Sequence, residues 1–332
     1  MANFCCIILQ VYNNIKCSIK LIEGIMTKLN IAVVDKNNQS RIVSINNETV
    51  YDLANCYISM AKETNITVSE SNPTVPDNLE DFIKQGDQAI QHSLDAVNWV
   101  MDNNIDTYSG NHILKWQLEP NSIKAPIIHS SKIIMIGDTY KSHAEIGGHI
   151  PPTRPGIFFK LSQVVIGTEE PIIYLKHYYP KPLKFDTELA VVVGKEGMSI
   201  PEQEVNDYIW GYTICNDLTL SGVKDLGPRY KCFESSAPIG PWIVHKSQLG
   251  DPLNLNLEFR INGKAVQTGN TDKLIFSIES IISEVSMYHK LRPGDIISLG
   301  GPGPTTTLNP GDIAEAEVES IGILRNPVVL EI

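Results

Sequence analysis

At 332 residues, with 42% hydrophobic and 20% charged side chains, the chain has the makeup of a globular protein with ample material for a core. Its formal charge of −11 offers no basic footprint for phosphates, so no nucleic-acid partner is expected. Of the six cysteines (Cys5, Cys6, Cys17, Cys56, Cys215 and Cys232) none forms a C-x-x-C pair; a zinc site and a disulfide framework are not expected, and a reducing, cytoplasmic setting fits.

The opening MANFCCIILQVYNN holds a short apolar run without a basic flank or a small-residue cleavage site. Nothing later approaches the roughly 18 consecutive apolar residues of a membrane helix, so neither a secretory signal nor a membrane partner is expected. Met26 directly precedes a strand-like segment, and residues 1–25 read as an extension outside the fold. From Leu29, LNIAVVD and RIVSI, separated by KNNQ, predict a hairpin. Behind Pro73 and Pro76, Ile83, Ile90, Leu94 and Val97 recur at helical spacing and predict an amphipathic helix over 77–101. Residues 26–125 are thus expected to form a small N-terminal α+β domain.

Residues 126–332 change character, with β-branched runs punctuated by Gly and Pro: KIIMIG, ELAVVVG, IWGYTIC, NLEFRING and DIISLGG. Asn262-Gly263 between LEFRI and KAVQT is a hairpin-turn signal. Helices are expected at 277–289 and around 202–208. The fold class expected is α+β, predominantly β, and not a doubly wound parallel sheet. GGPGPTTT lacks the spacing of a dinucleotide fingerprint.

Within KFDTELAVVVG, Asp186 and Glu188 stand two apart in an extended run, which places both side chains on one face with Cα atoms ~7 Å apart. An apolar stretch follows at once, so the pair sits where a strand enters the core. Burying two carboxylates together is costly unless a hard divalent cation joins them. Asp217 ends another strand-like run, IWGYTICND, and three carboxylates from two strand ends suit Mg²⁺ or Mn²⁺. By spacing alone, though, a D-x-E is an ordinary solvated strand edge. His143 and His149 are six apart across Gly147-Gly148, which is not a same-face helical spacing for a metal pair.

The surrounding motifs alter that balance. In order they are Thr139-Tyr140-Lys141-Ser142-His143, then Pro155 to Lys160, then Asp186-Thr187-Glu188-Leu189-Ala190, then Gly211-Tyr212 to Asn216-Asp217. Tyr230-Lys231-Cys232-Phe233-Glu234 follows, with Ala237-Pro238-Ile239-Gly240-Pro241, Asn262-Gly263 with Gln267, Gly300-Gly301-Pro302, and Pro310-Gly311-Asp312. In this series the chain resembles the fumarylacetoacetate hydrolase family over almost its whole length from about Met26.

The resemblance implies a mixed β-roll or sandwich with an active-site cleft behind a small N-terminal domain, usually as a homodimer. It implies Mg²⁺, Mn²⁺ or Ca²⁺ held by Asp186, Glu188 and Asp217, acting on a small 2-oxo or 1,3-dioxo acid. His143 would be the general base and Lys231 the second catalytic group, with Tyr140, Lys160 and Gln267 binding substrate and Asp138 or Glu145 as an extra acid. Four positions depart from the family pattern, apart from Asp186 standing where most members carry Glu. Ile146 stands where many hydrolysing or decarboxylating members have Glu, three residues after the His; Ser221 replaces an Arg, Gly301 a Thr and Cys232 a Ser. The first expectation is a metal-dependent hydrolase or lyase cleaving a C–C bond in an acylpyruvate-like acid through a metal-stabilised enolate. The second is a hydratase, dehydratase or isomerase of 2-oxo sugar acids or dienoates, which the missing Glu favours. A catalytically weak metal- and ligand-binding protein is the third.

Overall fold

The expected N-terminal hairpin forms as β1 (Asn30–Lys36) and β2 (Gln39–Asn46), and β3 (Thr49–Asp52) adds to it after a turn at Asn47. The computed structural model describes residues 28–332 except 38, 70–72, 109–111, 120, 149 and 304–305. The extension expected over residues 1–25 lies outside the described residues, as does His149. Helix α1 (Leu53–Glu63) follows β3 directly, although the sequence pattern did not announce it. Asp52 caps it by accepting from the Asn55 amide at 2.9 Å, and Leu53, Cys56, Tyr57 and Met60 bury one face. Where one helix was expected over 77–101, two form, Leu79–Lys84 and α2 (Gly86–Asn103), with Gly86 at a left-handed φ of 59° between them.

The rest of the chain supplies β4 (Ile133–Gly137), α3 (Lys141–Gly147), β5 (Gly156–Lys160), β6 (Thr187–Val193), β7 (Ile209–Asn216) and β8 (Ala237–His245). These are followed by β9 (Asn256–Ile261), β10 (Lys264–Asn270), α4 (Ile278–Tyr288), β11 (Ile296–Ser298), β12 (Ile313–Val318) and β13 (Gly322–Leu330). The Asn262-Gly263 turn joins β9 to β10 as expected, both residues at positive φ. The helix expected around 202–208 is a 3₁₀ segment, Glu202–Asp207.

The strands make two stacked sheets. One runs β3-β2-β1-β8-β7-β6-β11-β4-β5, antiparallel except for the β11–β4 pair. The other runs β13-β12-β9-β10, with Ile172–Tyr174 parallel to β13 at its edge. Strand β6 lies inside the long sheet and is buried along its whole length, which explains its unbroken apolar run. Leu189, Val191 and Val193 face the second sheet and α4, whereas Ala190 and Val192 face the cluster that contains α1 and α2. The stretch before residue 125 is therefore tied into the long sheet: Ile31 pairs with Ile243, and α1 and α2 share one core with Ile133, Ala190 and Trp210. Among the described residues no helix is long and apolar enough to cross a membrane.

Candidate active site

The β6–β7 ladder brings the acidic residues together. Thr187 pairs with Asn216, and just past this end the Asp217 amide donates to the Asp186 carbonyl at 3.0 Å. Asp186, Glu188 and Asp217 all line one cleft of about 780 Å³, yet they are only 3%, 3% and 4% exposed. They are buried acids at the floor of an open site, not a solvated strand edge.

Each acid is held by named donors. Glu188 Oε2 accepts from the Ser298 hydroxyl and from the Gly300 amide at 3.0 Å. Asp186 Oδ1 accepts from Gln267 Nε2 at 2.7 Å and the Gly303 amide at 3.3 Å, while Oδ2 is buried without a hydrogen-bond partner. That free oxygen lies 3.4 Å from His143 Nδ1. Asp217 faces two cations. Its Oδ2 accepts from Lys231 Nζ, and its Oδ1 lies 2.8 Å from Lys160 Nζ, near enough for an ion pair but off hydrogen-bond alignment.

Three carboxylates against two ammonium groups leave the floor of the cleft with excess negative charge. Burial pushes Asp186 up to about 6, reinforced by repulsion from Asp217 and opposed by His143, Gln267 and Lys231. Glu188 is driven well above the usual carboxylate range by burial and then by Asp217 and Asp186. Burial also acts to raise Asp217, but Lys160 and Lys231 together outweigh it and hold that acid below its ordinary value. Lys231 is raised in return, because Asp217 outweighs the burial of its ammonium.

The donor set fits a hard divalent ion: every candidate ligand is an oxygen, and Asp186 Oδ2 is buried with no hydrogen-bond donor to satisfy it. Among the described residues, however, no three His, Cys, Asp or Glu side chains already close around a single point, since Asp217 is drawn to its lysines.

These shifts have a measurable consequence for the metal-free protein. Asp186 binds its proton more tightly when folded (about 6) than its ordinary value of 3.8, so its contribution to stability is fully present below about pH 4 and is lost as pH rises through 6. The melting temperature in EDTA is expected to fall between about pH 4 and pH 6, and Asp186→Asn is expected to flatten that fall. An unchanged slope in the variant would show that the carboxylate is not under this burial strain.

The other expected site residues divide into two groups. His143, on α3, and Lys231 line the cleft, and so does Asp138, at a left-handed φ of 55°. Tyr140 is 1% exposed and packs in the core behind the site, where burial and then Asp186 and Glu188 raise its pKa and keep the phenol neutral. Lys160 and Gln267 were expected to bind substrate, but their polar groups are already engaged by the protein. Lys160 Nζ donates to the carbonyls of Leu218 and Ser236 besides facing Asp217. Gln267 accepts from the Thr187 amide at 3.0 Å while donating to Asp186, so it positions that acid. Glu145 is exposed on the outer side of α3, 3.9 Å from Lys141. Ser298 and Gly300 were missed, although a lone serine within the apolar run IISL is the kind of signal that marks an inward-facing hydroxyl.

The model of the fumarylacetoacetate (FAA) hydrolase C-terminal family matches residues 132–329. The chain is 31% identical over 277 residues to the mitochondrial oxaloacetate tautomerase fahd2 of Xenopus laevis, covering 80% of this chain and 82% of that protein. It is 34% identical over 271 residues to the oxaloacetate tautomerase YisK of Bacillus subtilis (strain 168), covering 77% and 87%. In fold it matches maleylpyruvate hydrolase from Sphingobium sp. SYK-6, crystallised with manganese(II) and pyruvate, at a TM-score of 0.69 and 21% identity, covering 91% of this chain and 99% of that one.

Proposed function

Since the chain belongs to the fumarylacetoacetate hydrolase family, we propose that it is a divalent-metal-dependent enzyme that interconverts the keto and enol forms of a small 2-oxo acid. The observation that carries this choice is the equipment of α3. Ile146, three residues after His143, lines the cleft, while Glu145 is turned to solvent beside Lys141. Hydrolysis of a C–C bond needs a group to activate water as well as one to manage the enol. Tautomerisation needs only the second. The oxaloacetate tautomerases at 31% and 34% identity favour the same side, and the weight moves from C–C cleavage to isomerisation.

Asp186, Glu188 and Asp217 would hold the cation, whose contribution when bound is to polarise the 2-oxo carbonyl as a Lewis acid. His143 takes a proton from C3 of the keto form and delivers it to the 2-oxo oxygen, and in the reverse direction it takes the enol hydroxyl proton and returns it to C3. Its Nδ1 lies 3.4 Å from Asp186 Oδ2, which sets the imidazole beside the acids that would hold the cation. Lys231 sets a positive charge beside the acids, with its ammonium 5.0 Å from the centre of the Phe158 ring.

The test follows the ultraviolet absorbance of enol-oxaloacetate as it converts to the keto form, in Mg²⁺ and in EDTA. The wild type is expected to accelerate the conversion only with metal. His143→Gln is expected to lose ~10²–10⁴-fold in kcat, the usual worth of a general base, while metal affinity changes little. Release of pyruvate from an acylpyruvate faster than enol–keto conversion would instead favour the hydrolase reading.

A further inference from the structure

The proposed proton chemistry leaves one cation in the cleft without a task. Lys184 lies two residues before Asp186, and Thr219 lies two residues after Asp217. These two residues pair in register in a short antiparallel ladder, Leu183–Lys184 with Thr219–Leu220. Side-chain alternation sorts the segment: Leu183, Phe185, Leu218 and Leu220 are buried in the core, while Lys184, Asp186, Asp217 and Thr219 line the cleft. Ser221 and Tyr230 line the same cavity.

The three lysines of this region differ in what they have left to give. Lys160 and Lys231 are both committed to Asp217. Among the described residues, no carboxylate lies within ion-pair distance of Lys184, which is half-buried next to the hydroxyl-bearing Thr219. An ammonium on a cavity wall, flanked by hydroxyls and not neutralised by the protein, is a receptor for an anionic group. Two residues of extended chain, ~7 Å between Cα atoms, separate it from the acids that handle the 2-oxo group, which suits a second charge a few bonds away on the same small molecule.

We propose that Lys184, with Thr219 and Ser221, forms a subsite for a second carboxylate, so that the cleft selects 2-oxo dicarboxylic acids over their monocarboxylic counterparts. The inference rests on the 2-oxo acid chemistry proposed above and narrows its substrate class.

Malate and 2-hydroxybutyrate share a 2-hydroxy acid head, cannot tautomerise, and differ in the distal carboxylate, so their binding isolates the subsite from turnover. Calorimetry on the full chain with Mg²⁺ is expected to show malate bound about tenfold or more tightly than 2-hydroxybutyrate, the scale of one charge-assisted hydrogen bond. Lys184→Gln is expected to erase that preference, and Lys184→Arg to retain most of it. Equal affinities in the wild type, or a preference that survives Lys184→Gln, would overturn the proposal. A malate preference that depends on Lys184 in a protein that tautomerises no oxo acid would uphold the subsite and sink the tautomerase reading.

Discussion

Glu188→Gln is expected to lower kcat/KM for enol–keto conversion by at least ~10³-fold, the scale of lost electrostatic stabilisation at a reacting centre. The substitution preserves shape, so packing is not the cause. The Ser298 hydroxyl and the Gly300 amide both donate to Oε2, and a glutamine would keep its carbonyl there to satisfy them. Its NH₂ would then face the proposed ion position and present a donor where a ligand is needed. In EDTA the expectation reverses. Burial and the neighbouring acids oppose the charge on Glu188, so a neutral amide is expected to melt at a higher temperature than the wild type without metal. A variant that is more stable without metal and nearly inactive with it would separate a functional carboxylate from a structural one. A drop in both properties would point to a structural role.

Gly301→Thr, which introduces the residue expected from the family pattern, is expected to damage the enzyme. A Cβ at position 301 would stand 2.1 Å from Asp186 Oδ1 and 2.7 Å from the Thr187 carbonyl oxygen. The first contact could be relieved only by moving Asp186 away from Gln267, and the second is with backbone inside the sheet entrance. Overpacking of this kind costs about 1–3 kcal/mol of stability, and a displaced Asp186 is expected to reduce kcat/KM by ~10²-fold or more. Thermal melting and turnover of Gly301→Ala and Gly301→Thr check this, with the smaller substitution expected to show the same direction. A threonine variant of normal or higher activity would mean that the glycine is not there to make room for the acid.

The parts of this protein that follow from local pattern could be read from the chain itself. The run ELAVVV read as a strand entering the core, and the acids at its mouth had to be either solvated or neutralised. The β9–β10 hairpin followed from Asn262-Gly263, because both residues tolerate positive φ. What could not be read depends on remote partners. Helix α1 starts on Asp52, the last residue of a strand, so its cap lay hidden within a β-like run. The apolar run LNIAVVD marks β1 as a strand but says nothing about its pairing with β8, more than two hundred residues away.

Residue roles divide in the same way. Lys160 and Gln267 are residue types that bind substrate oxygens in many sites, and sequence shows the type but not whether its donors are already spent. The carbonyls of Leu218 and Ser236 and the carboxylate of Asp186 take them here. Glu145 is the converse case, since its place on α3 follows from helical phase and turns it toward Lys141, away from the cleft.

The metal centre itself is tested most directly by titrating Mg²⁺ or Mn²⁺ into the full chain by calorimetry, comparing the wild type with Glu188→Gln. One saturable site per chain is expected in the wild type, with affinity at least ~10-fold weaker in the variant. Undiminished binding by Glu188→Gln would place the ion elsewhere and contradict the assignment of Asp186, Glu188 and Asp217 as its ligands.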